Sequence, residues 1–565
     1  MTPSGWTLAP HLHKGYWWNH RGILMLNLCL ILPLLSATIN GLDSSLNNGL
    51  QILPAWQNFF DAPEGRALGL INSAQNIGGI VSLPFSPFIS DTFGRRMTLL
   101  VGATIMLCGV LLQGLATSPN TFIGARIIIG FGLTFSSNAA PLLIAELAYP
   151  TQRGKLTSMF NTLWYSGSIL SSWACYAAFN IAGSSQWTWR IPTLGQAIGP
   201  ILQICLIWFI PESPRFLVSK GMESQASKVI ARYHSNGSEQ DPLVVFEMAQ
   251  IRHALKQEKD IRKNYSFWQF WTTRGNLKRL RIIVAVALFT QLSGNGLVSY
   301  YISLVLDGIG FKGTNTKTAI NGSLQIWNLI FAMTGTFLVD KVGRRPLFLI
   351  STIGMLCAFS TWTLTTALFS ALNNTTAAKA TVPIIFIYYA FYDICYSPLL
   401  SACCTYSLEI LPYGIRAQGF AAMNMCIELA LLFDQFVNPI VIERIGWKYY
   451  LVYCIWLAIE VAFVFMYIVE TKGRTLEENA ALFDGEKPRQ ELAQKGGQAA
   501  AEAAAGVFPL TPRSDEDKEV DYLSTEEWFE NTTLQIKNSP PSHTSHTPTS
   551  SRRQSQESGL AIMAI

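Results

Sequence analysis

Between Leu288 and Tyr301 the chain reads LFTQLSGNGLVSYY, which sets Thr290, Gln291, Ser293 and Asn295 inside a run otherwise apolar enough to cross a bilayer. Amides and hydroxyls in hydrocarbon must pair with one another or bind something. Asp43 near the outer end of the first apolar run, Arg126 in the fourth, and Asp393, Glu428, Asp434 and Glu460 further along stand in similar company. A charge in such a place is costly and marks a partner or a function. The chemistry open to these groups is hydrogen bonding and proton exchange. All seven histidines fall outside the apolar runs, and the ten cysteines lie within them without a CxxC pair. Neither a metal site nor a disulfide framework is expected, and with no nucleophile set or cofactor motif the chain reads as no enzyme.

The elements that must hold these residues are membrane helices. Of 565 residues, 50% are hydrophobic and 14% charged, where soluble chains carry about a quarter charged. The net charge of +5 is spread over short loops and offers nucleic acid no compact patch. About twenty apolar residues cross a bilayer, which predicts an all-α chain of twelve spans near 23–45, 66–88, 97–116, 121–145, 154–179, 191–210, 282–304, 319–339, 347–370, 381–407, 415–440 and 449–469. The loops richest in Lys and Arg fall on one side, so by the positive-inside rule both termini are cytoplasmic. Residues 1–22 form an N-terminal tail, 23–210 and 282–470 two six-helix halves, 211–281 a cytoplasmic linker with short helices near 221–234 and 243–263, and 471–565 a cytoplasmic tail, largely disordered. Asn373 and Asn374 each head an Asn-x-Thr sequon in an external loop, where glycosylation is expected.

The halves echo each other. DTFGRR at 91–96 returns as DKVGRR at 340–345, Glu146 with Arg153 returns as Glu409 with Arg416, and PESPR at 211–215 is answered by ETKGR at 470–474. Parallel repeats joined by a long cytoplasmic segment mark a transporter that rocks around a substrate held between its halves.

In order and spacing these motifs resemble the sugar porter family of the major facilitator superfamily, over roughly Asn40 to Leu476. Arg126 with Gly130 and Gly132 in span four and QLSG in span seven belong to the same set. NGLDSSLNNGL, QLSGNGLVSYY and YSLEILPYGIRAQG look most like fungal lactose and cellobiose permeases. The resemblance implies a cytoplasmic gate of Arg95, Arg96, Glu146, Arg153, Glu212 and Arg215 in the first half and Arg344, Arg345, Glu409, Arg416 and Glu470 in the second. It also implies that Asp43 takes up a proton and Arg126 tunes it. Asn161, Gln291 and Asn328 match sugar-binding amides, with Asn295 one place from the family's usual Asn, while Thr290 replaces a Gln. Cys404 stands where hexose carriers have a Trp, which implies a pocket wide enough for a disaccharide. Asp393, expected in the outer half of span ten, adds a carboxylate for sugar hydroxyls or a second proton, and Tyr300, Tyr301, Trp164 and Trp327 supply rings for the sugar to stack on or pass.

The expected function is import of a sugar, lactose, cellobiose or a relative, or a hexose, together with protons, by a plasma-membrane protein that works as a monomer without a cofactor. Its partners are the sugar, the proton and the bilayer. A sugar sensor signalling through the C-terminal tail and a proton-independent facilitator are the alternatives. A sensor could dispense with the Asp43 and Arg126 pair, so their presence favours transport.

Overall fold

In lipid each backbone N–H and C=O must be satisfied within the segment that carries it, and a helix does this. The computed structural model describes residues 16–264, 274–401, 406, 410–411, 416–472 and 483, all in one unit, Met1–Val507, and among them every regular element is helical. Span one is Arg21–Leu50, span two Gly65–Ser82 and Phe85–Phe93, span three Arg95–Gly114, span four Pro119–Leu147, span five Pro150–Ala182 and span six Trp187–Gly195 with Ile198–Leu206. In the second half, span seven is Arg274–Leu292 and Asn295–Gly308, span eight Thr314–Val342, span nine Arg344–Leu372, span ten Thr375–Ser401, span eleven Arg416–Ile445 and span twelve Tyr449–Tyr467. Cys404, Glu409 and the tail beyond Lys472, Phe483 apart, lie outside the described residues.

Local chemistry explains several boundaries. Ser118 caps span four by accepting from Thr121 N at 3.3 Å, with Pro119 at the first helical position, where its missing N–H costs nothing. Asn373 ends span nine in the left-handed region at φ 48°. Nine described stretches are long and apolar enough to cross a membrane, and one of them, Gly419–Tyr467, contains most of span eleven and all of span twelve. Spans two and five are helical but fall outside those nine. The reason is their polarity: Asn72, Gln75 and Asn76 lie in span two, which also breaks at Pro84, and Arg153, Lys155 and a run of Ser and Thr lie in span five.

The sequence repeat reappears as a repeat of packing. Span one lies on five as seven lies on eleven, three on four as nine on ten, two on four as eight on ten, and three on six as nine on twelve. The most extensive pairings between the halves are span two with eleven and span five with eight, and they exchange under the same repeat. Leu28, Ile31, Phe337, Leu364 and Phe465 are exposed, which suits side chains that meet lipid rather than water. Gly130 is a close-contact residue, since a Cβ there would stand 1.9 Å from the Gln75 carbonyl oxygen of span two.

Helices Pro214–Ser219, Glu223–His234 and Pro242–Asn264 follow span six and share a small core of Leu217, Ala226, Ile230, Val244 and Met248.

Candidate functional site

The polar stretch of span seven is a break. Gly294 takes φ 97° and ψ −2°, a left-handed conformation open to glycine, and divides the span into two helices. A break frees carbonyl groups that water cannot reach, and each must find a donor. Three tyrosines of span ten supply them: Tyr392 Oη donates to Thr290 O at 2.7 Å, Tyr388 Oη to Ser293 O at 2.8 Å and Tyr389 Oη to Asn295 O at 2.6 Å. Asn295 Nδ2 donates to Tyr392 Oη at 3.0 Å, and its own Oδ1 is buried with no partner. Gln291 is buried and donates only to Thr290 Oγ1, at 3.4 Å. Gly296 serves close approach: a Cβ there would collide with Asp434 Oδ2.

Beside this break a carboxylate joins the two halves. Asp393 is fully buried and accepts from Tyr165 Oη of span five at 2.7 Å. With the Asn328 amide turned so that its nitrogen finds acceptors, Nδ2 donates to Asp393 Oδ2 at 3.2 Å and to Leu324 O at 3.0 Å. Asp393 lies past the midpoint of the described helix Thr375–Ser401 rather than in its outer half, because the helix starts earlier than expected and eighteen residues at about 1.5 Å each set Asp393 about 27 Å along from Thr375. Asn161, one turn below Tyr165 on the same face, is exposed. Trp164 is half-buried with its ring edge-on to Tyr165 at 5.2 Å. Trp327 donates from Nε1 to Phe386 O at 2.8 Å and so ties span eight to span ten.

Asp43 and Arg126 are both buried in the outer part of the first half. Arg126 Nη2 donates to Gln75 Oε1 at 2.6 Å, while its Nε and Nη1 and both carboxylate oxygens of Asp43 lack hydrogen-bond partners. The two charges feel each other but make no ion pair within 4 Å among the described residues. Around and above them the halves are sealed. Asn48 Nδ2 donates to Val298 O at 3.1 Å and its Oδ1 accepts from Ile302 N at 3.2 Å; Gln51 Nε2 donates to Tyr300 O at 3.1 Å. Ser168 Oγ donates to Gln325 Oε1 at 2.7 Å and Asn321 Nδ2 to Ser172 Oγ at 3.1 Å. Tyr301, with Tyr300 alongside, packs into an apolar cluster with Leu46, Leu50, Trp56 and Phe122 of the first half. Among the described residues, the hydrogen bonds between the halves run from the Tyr165–Asp393 pair to the end of span one that carries Asn48 and Gln51.

Several of the charges around the two GRR motifs are paired within their own half. Glu212 accepts from Arg95 N at 3.0 Å and Arg96 N at 3.2 Å, and Arg95 Nε lies 3.2 Å from Glu146 Oε2, which also takes the Ser213 hydroxyl. Glu470 accepts from Arg344 N and Arg345 N, both at 3.0 Å. A carboxylate thus meets the free N–H groups at the start of span three and again at the start of span nine. Burial pushes the Glu212 carboxyl above the ordinary range, against the pull of the Ser213, Arg96 and Arg95 N–H groups and the Arg95 charge. Burial acts the same way on Glu470, but the N–H groups of Lys472, Arg344, Arg345 and Thr471 together outweigh it and hold that carboxyl below the ordinary range. Arg153 is exposed and forms no ion pair among the described residues; Arg215 is half-buried, Glu409 lies outside those residues, and of Arg416 only the helical backbone is described.

The sequence does not single out the five tyrosines that hold these groups. Tyr388, Tyr389, Tyr392 and Tyr396 share one face of span ten, a spacing that was the available signal. Tyr165 reaches Asp393 over 228 residues, and no local pattern announces that.

In the loop between spans nine and ten, Asn373 is exposed, while Asn374 Oδ1 caps span ten by accepting from Thr376 N at 3.0 Å and Ala377 N at 3.2 Å.

The sequence pattern of the family described as "Sugar (and other) transporter" matches residues 28–483. The chain is 26% identical over 469 residues to a high-affinity glucose transporter of Kluyveromyces lactis, covering 79% of this chain and 82% of that one. It is 27% identical over 449 residues to myo-inositol transporter 2 of Cryptococcus neoformans, covering 75% and 78%. In fold it is similar to the inward-open xylose transporter XylE of E. coli, with a TM-score of 0.66, 24% identity and coverage of 81% of this chain and 100% of that one. A second structure, described as the proton:xylose symporter XylE bound to 6-bromo-6-deoxy-D-glucose, gives 0.65 at 23% identity, covering 83% and 100%. With the twofold helical repeat and a family match over most of its length, the chain belongs to the sugar porters of the major facilitator superfamily, a family of multi-pass membrane transporters and not of enzymes.

Proposed function

We propose that the protein imports a sugar with protons across the plasma membrane, both termini in the cytoplasm and one chain sufficing. The observation that carries this reading is Asp393, gripped between the halves by Tyr165 from one and Asn328 from the other. A carboxylate with amides and phenols around it offers paired acceptors and donors to sugar hydroxyls. Asn161 and Gln291, with the unpaired Asn295 Oδ1, extend the set, and Trp164 and Tyr300 give C–H faces a ring to lie on. Sugar bound here would replace the bond between halves with two bonds to itself, and so couple occupancy to rocking. The sealed outer layer beside an exposed Asn161 supports a conformation closed to the outside.

Asp43 is the proton carrier in this reading. A buried carboxylate with no hydrogen-bond donor is stable when neutral, and Arg126 supplies the charge that tunes it. The curated relatives named for glucose and myo-inositol, and the neighbour named a proton:xylose symporter, support the substrate class and the coupling. The preferred cargo is a disaccharide such as lactose or cellobiose. If a sequon is used it is that of Asn373, since glycosylation of Asn374 would burden a capping side chain.

Radiolabelled uptake in a transporter-null cell tests the reading. Uptake is expected to rise with external acidity, to collapse with a protonophore and to lose accumulation in Asp43→Asn. Indifference to pH and protonophore, with full accumulation by that variant, would refute symport. Competition by lactose, cellobiose, glucose, galactose, xylose, maltose and quinate identifies the cargo, with lactose or cellobiose expected to compete best.

A further inference from the structure

Glu460 of span twelve is fully buried, and its carboxyl meets Ser293 beside the break in span seven. Its Oε1 accepts from the Tyr396 hydroxyl of span ten, and both of its oxygens stand 3.0 Å from Ser293 Oγ. That serine has one hydroxyl hydrogen. Its oxygen is also hydrogen-bonded to the carbonyl of Phe289, one turn back, the usual destination of a serine hydroxyl within a helix. A carbonyl only accepts. The serine hydrogen is therefore spent on Phe289, and the contact with Glu460 needs a hydrogen from the other side. A protonated carboxyl provides it: Oε2–H donates to Ser293 Oγ while Oε1 accepts from Tyr396.

We infer that Glu460 is a resident, protonated carboxylic acid whose hydrogen latches the broken form of span seven, at a proton site separate from Asp43 and Arg126. No cation balances it: among the described residues it takes part in no ion pair. The titratable groups that face it are Tyr388, Tyr392 and Tyr396 of span ten, the first of which also feels Asp434 of span eleven. Span seven contributes Ser293 and the apolar Phe289, which stacks edge-on against Trp456 and Phe463 of span twelve. An ionised carboxylate in this setting would face neutral hydroxyls alone, in hydrocarbon, and the proton removes that cost. The linkage has a definite sign. The latched conformation binds the proton, so raising pH favours a conformation in which Ser293 has left Glu460 and water has reached it.

Infrared difference spectroscopy of the full-length protein in membranes at neutral pH, without sugar, tests this. Wild type minus Glu460→Gln is expected to show a protonated-carboxyl C=O band that shifts in heavy water and is absent from the variant. Glutamine preserves the arrangement, its amide nitrogen donating to Ser293 and its oxygen accepting from Tyr396. In Ser293→Ala the band is expected to persist and move to higher frequency, because the O–H has lost its acceptor. Carboxylate bands in place of the carboxyl band in the first comparison would overturn the inference. If Glu460→Gln does not fold, the serine variant decides alone, and an unshifted band overturns it. No transport is measured, so failure here leaves the sugar reading standing, and failure of uptake leaves this one standing.

Discussion

The inner end of the first half and the inner end of the second are built to one plan. Gly94 has φ 98° and ψ 165°, Gly343 φ 106° and ψ 164°. Each opens a helix with two arginines whose backbone N–H groups hold a glutamate arriving from the end of the sixth or twelfth span. The arginine side chains repeat too. Arg95 Nη1 reaches back to Ser90 O at 3.1 Å as Arg344 Nη1 does to Val339 O at 3.3 Å, and Arg96 and Arg345 reach Ile210 O and Phe465 O. The surroundings differ. The first lock is lined by Phe216 and Trp208, over which Arg95 and Arg96 lie at 5.7 and 5.3 Å, whereas Glu470 sits in the more open setting in which backbone N–H groups outweigh burial. Shared geometry therefore shows what the motif is for, and the difference shows that its electrostatics are adjustable.

Substituting the glycines gives the largest expected effect. A Cβ at residue 94 would stand 2.4 Å from Glu212 Oε2, and at residue 343 it would stand 2.8 Å from Glu470 Oε2. With the strain of a positive φ, Gly94→Ala is expected to cost about 3 kcal/mol and Gly343→Ala about 2 kcal/mol in unfolding assays in detergent. An equal or reversed order would remove the distinction between a tight and an open lock. Next comes Arg96→Lys, which loses the flat guanidinium over Trp208 and is expected to cost about 1 kcal/mol, with Arg345→Lys milder. Thermal shifts of the two variants side by side check this.

The glutamates sharpen the comparison further. Burial already disfavours the charge of Glu212, so Glu212→Gln is expected to be the milder change, and Glu470→Gln is expected to cost a few tenths of a kcal/mol to about 1 kcal/mol, the range for a carboxylate at a helix N-terminus. A larger loss for Glu212→Gln would mean that the buried lock depends on its charge. The smallest effect is in pH dependence, and its sign differs between the two. Glu470, held low, stabilises the fold above the ordinary glutamate range, and that contribution fades as pH falls toward its lowered value. Glu212, held high, contributes at acid pH and loses the contribution as pH rises through its raised value. Unfolding measured from pH 4 to 7 should show Glu470→Gln flattening the acid loss and Glu212→Gln steepening it.

Much of this plan was legible in the sequence, because a repeat announces itself wherever both copies keep their glycine and arginines. The break in span seven was legible through Gly294, whose conformation few other residues adopt. Asp393 was legible as a buried acid but not its partner, since contacts 228 residues apart leave no local mark. Spans two and five are expected as helices on the same count of apolar residues as the other ten, but their polar residues leave them outside the nine described stretches that are long and apolar enough to cross a membrane. The tyrosines of span ten carry no such mark, because rings at helical spacing look the same in sequence whether they pack or donate.

Those tyrosines bear on rates. Each phenol holds one carbonyl at the discontinuity of span seven, so moving the outer segment means exchanging a matched trio of partners together. Span seven is held at its break by three donors from one neighbouring helix, and any rearrangement of the outer segment has to replace all three.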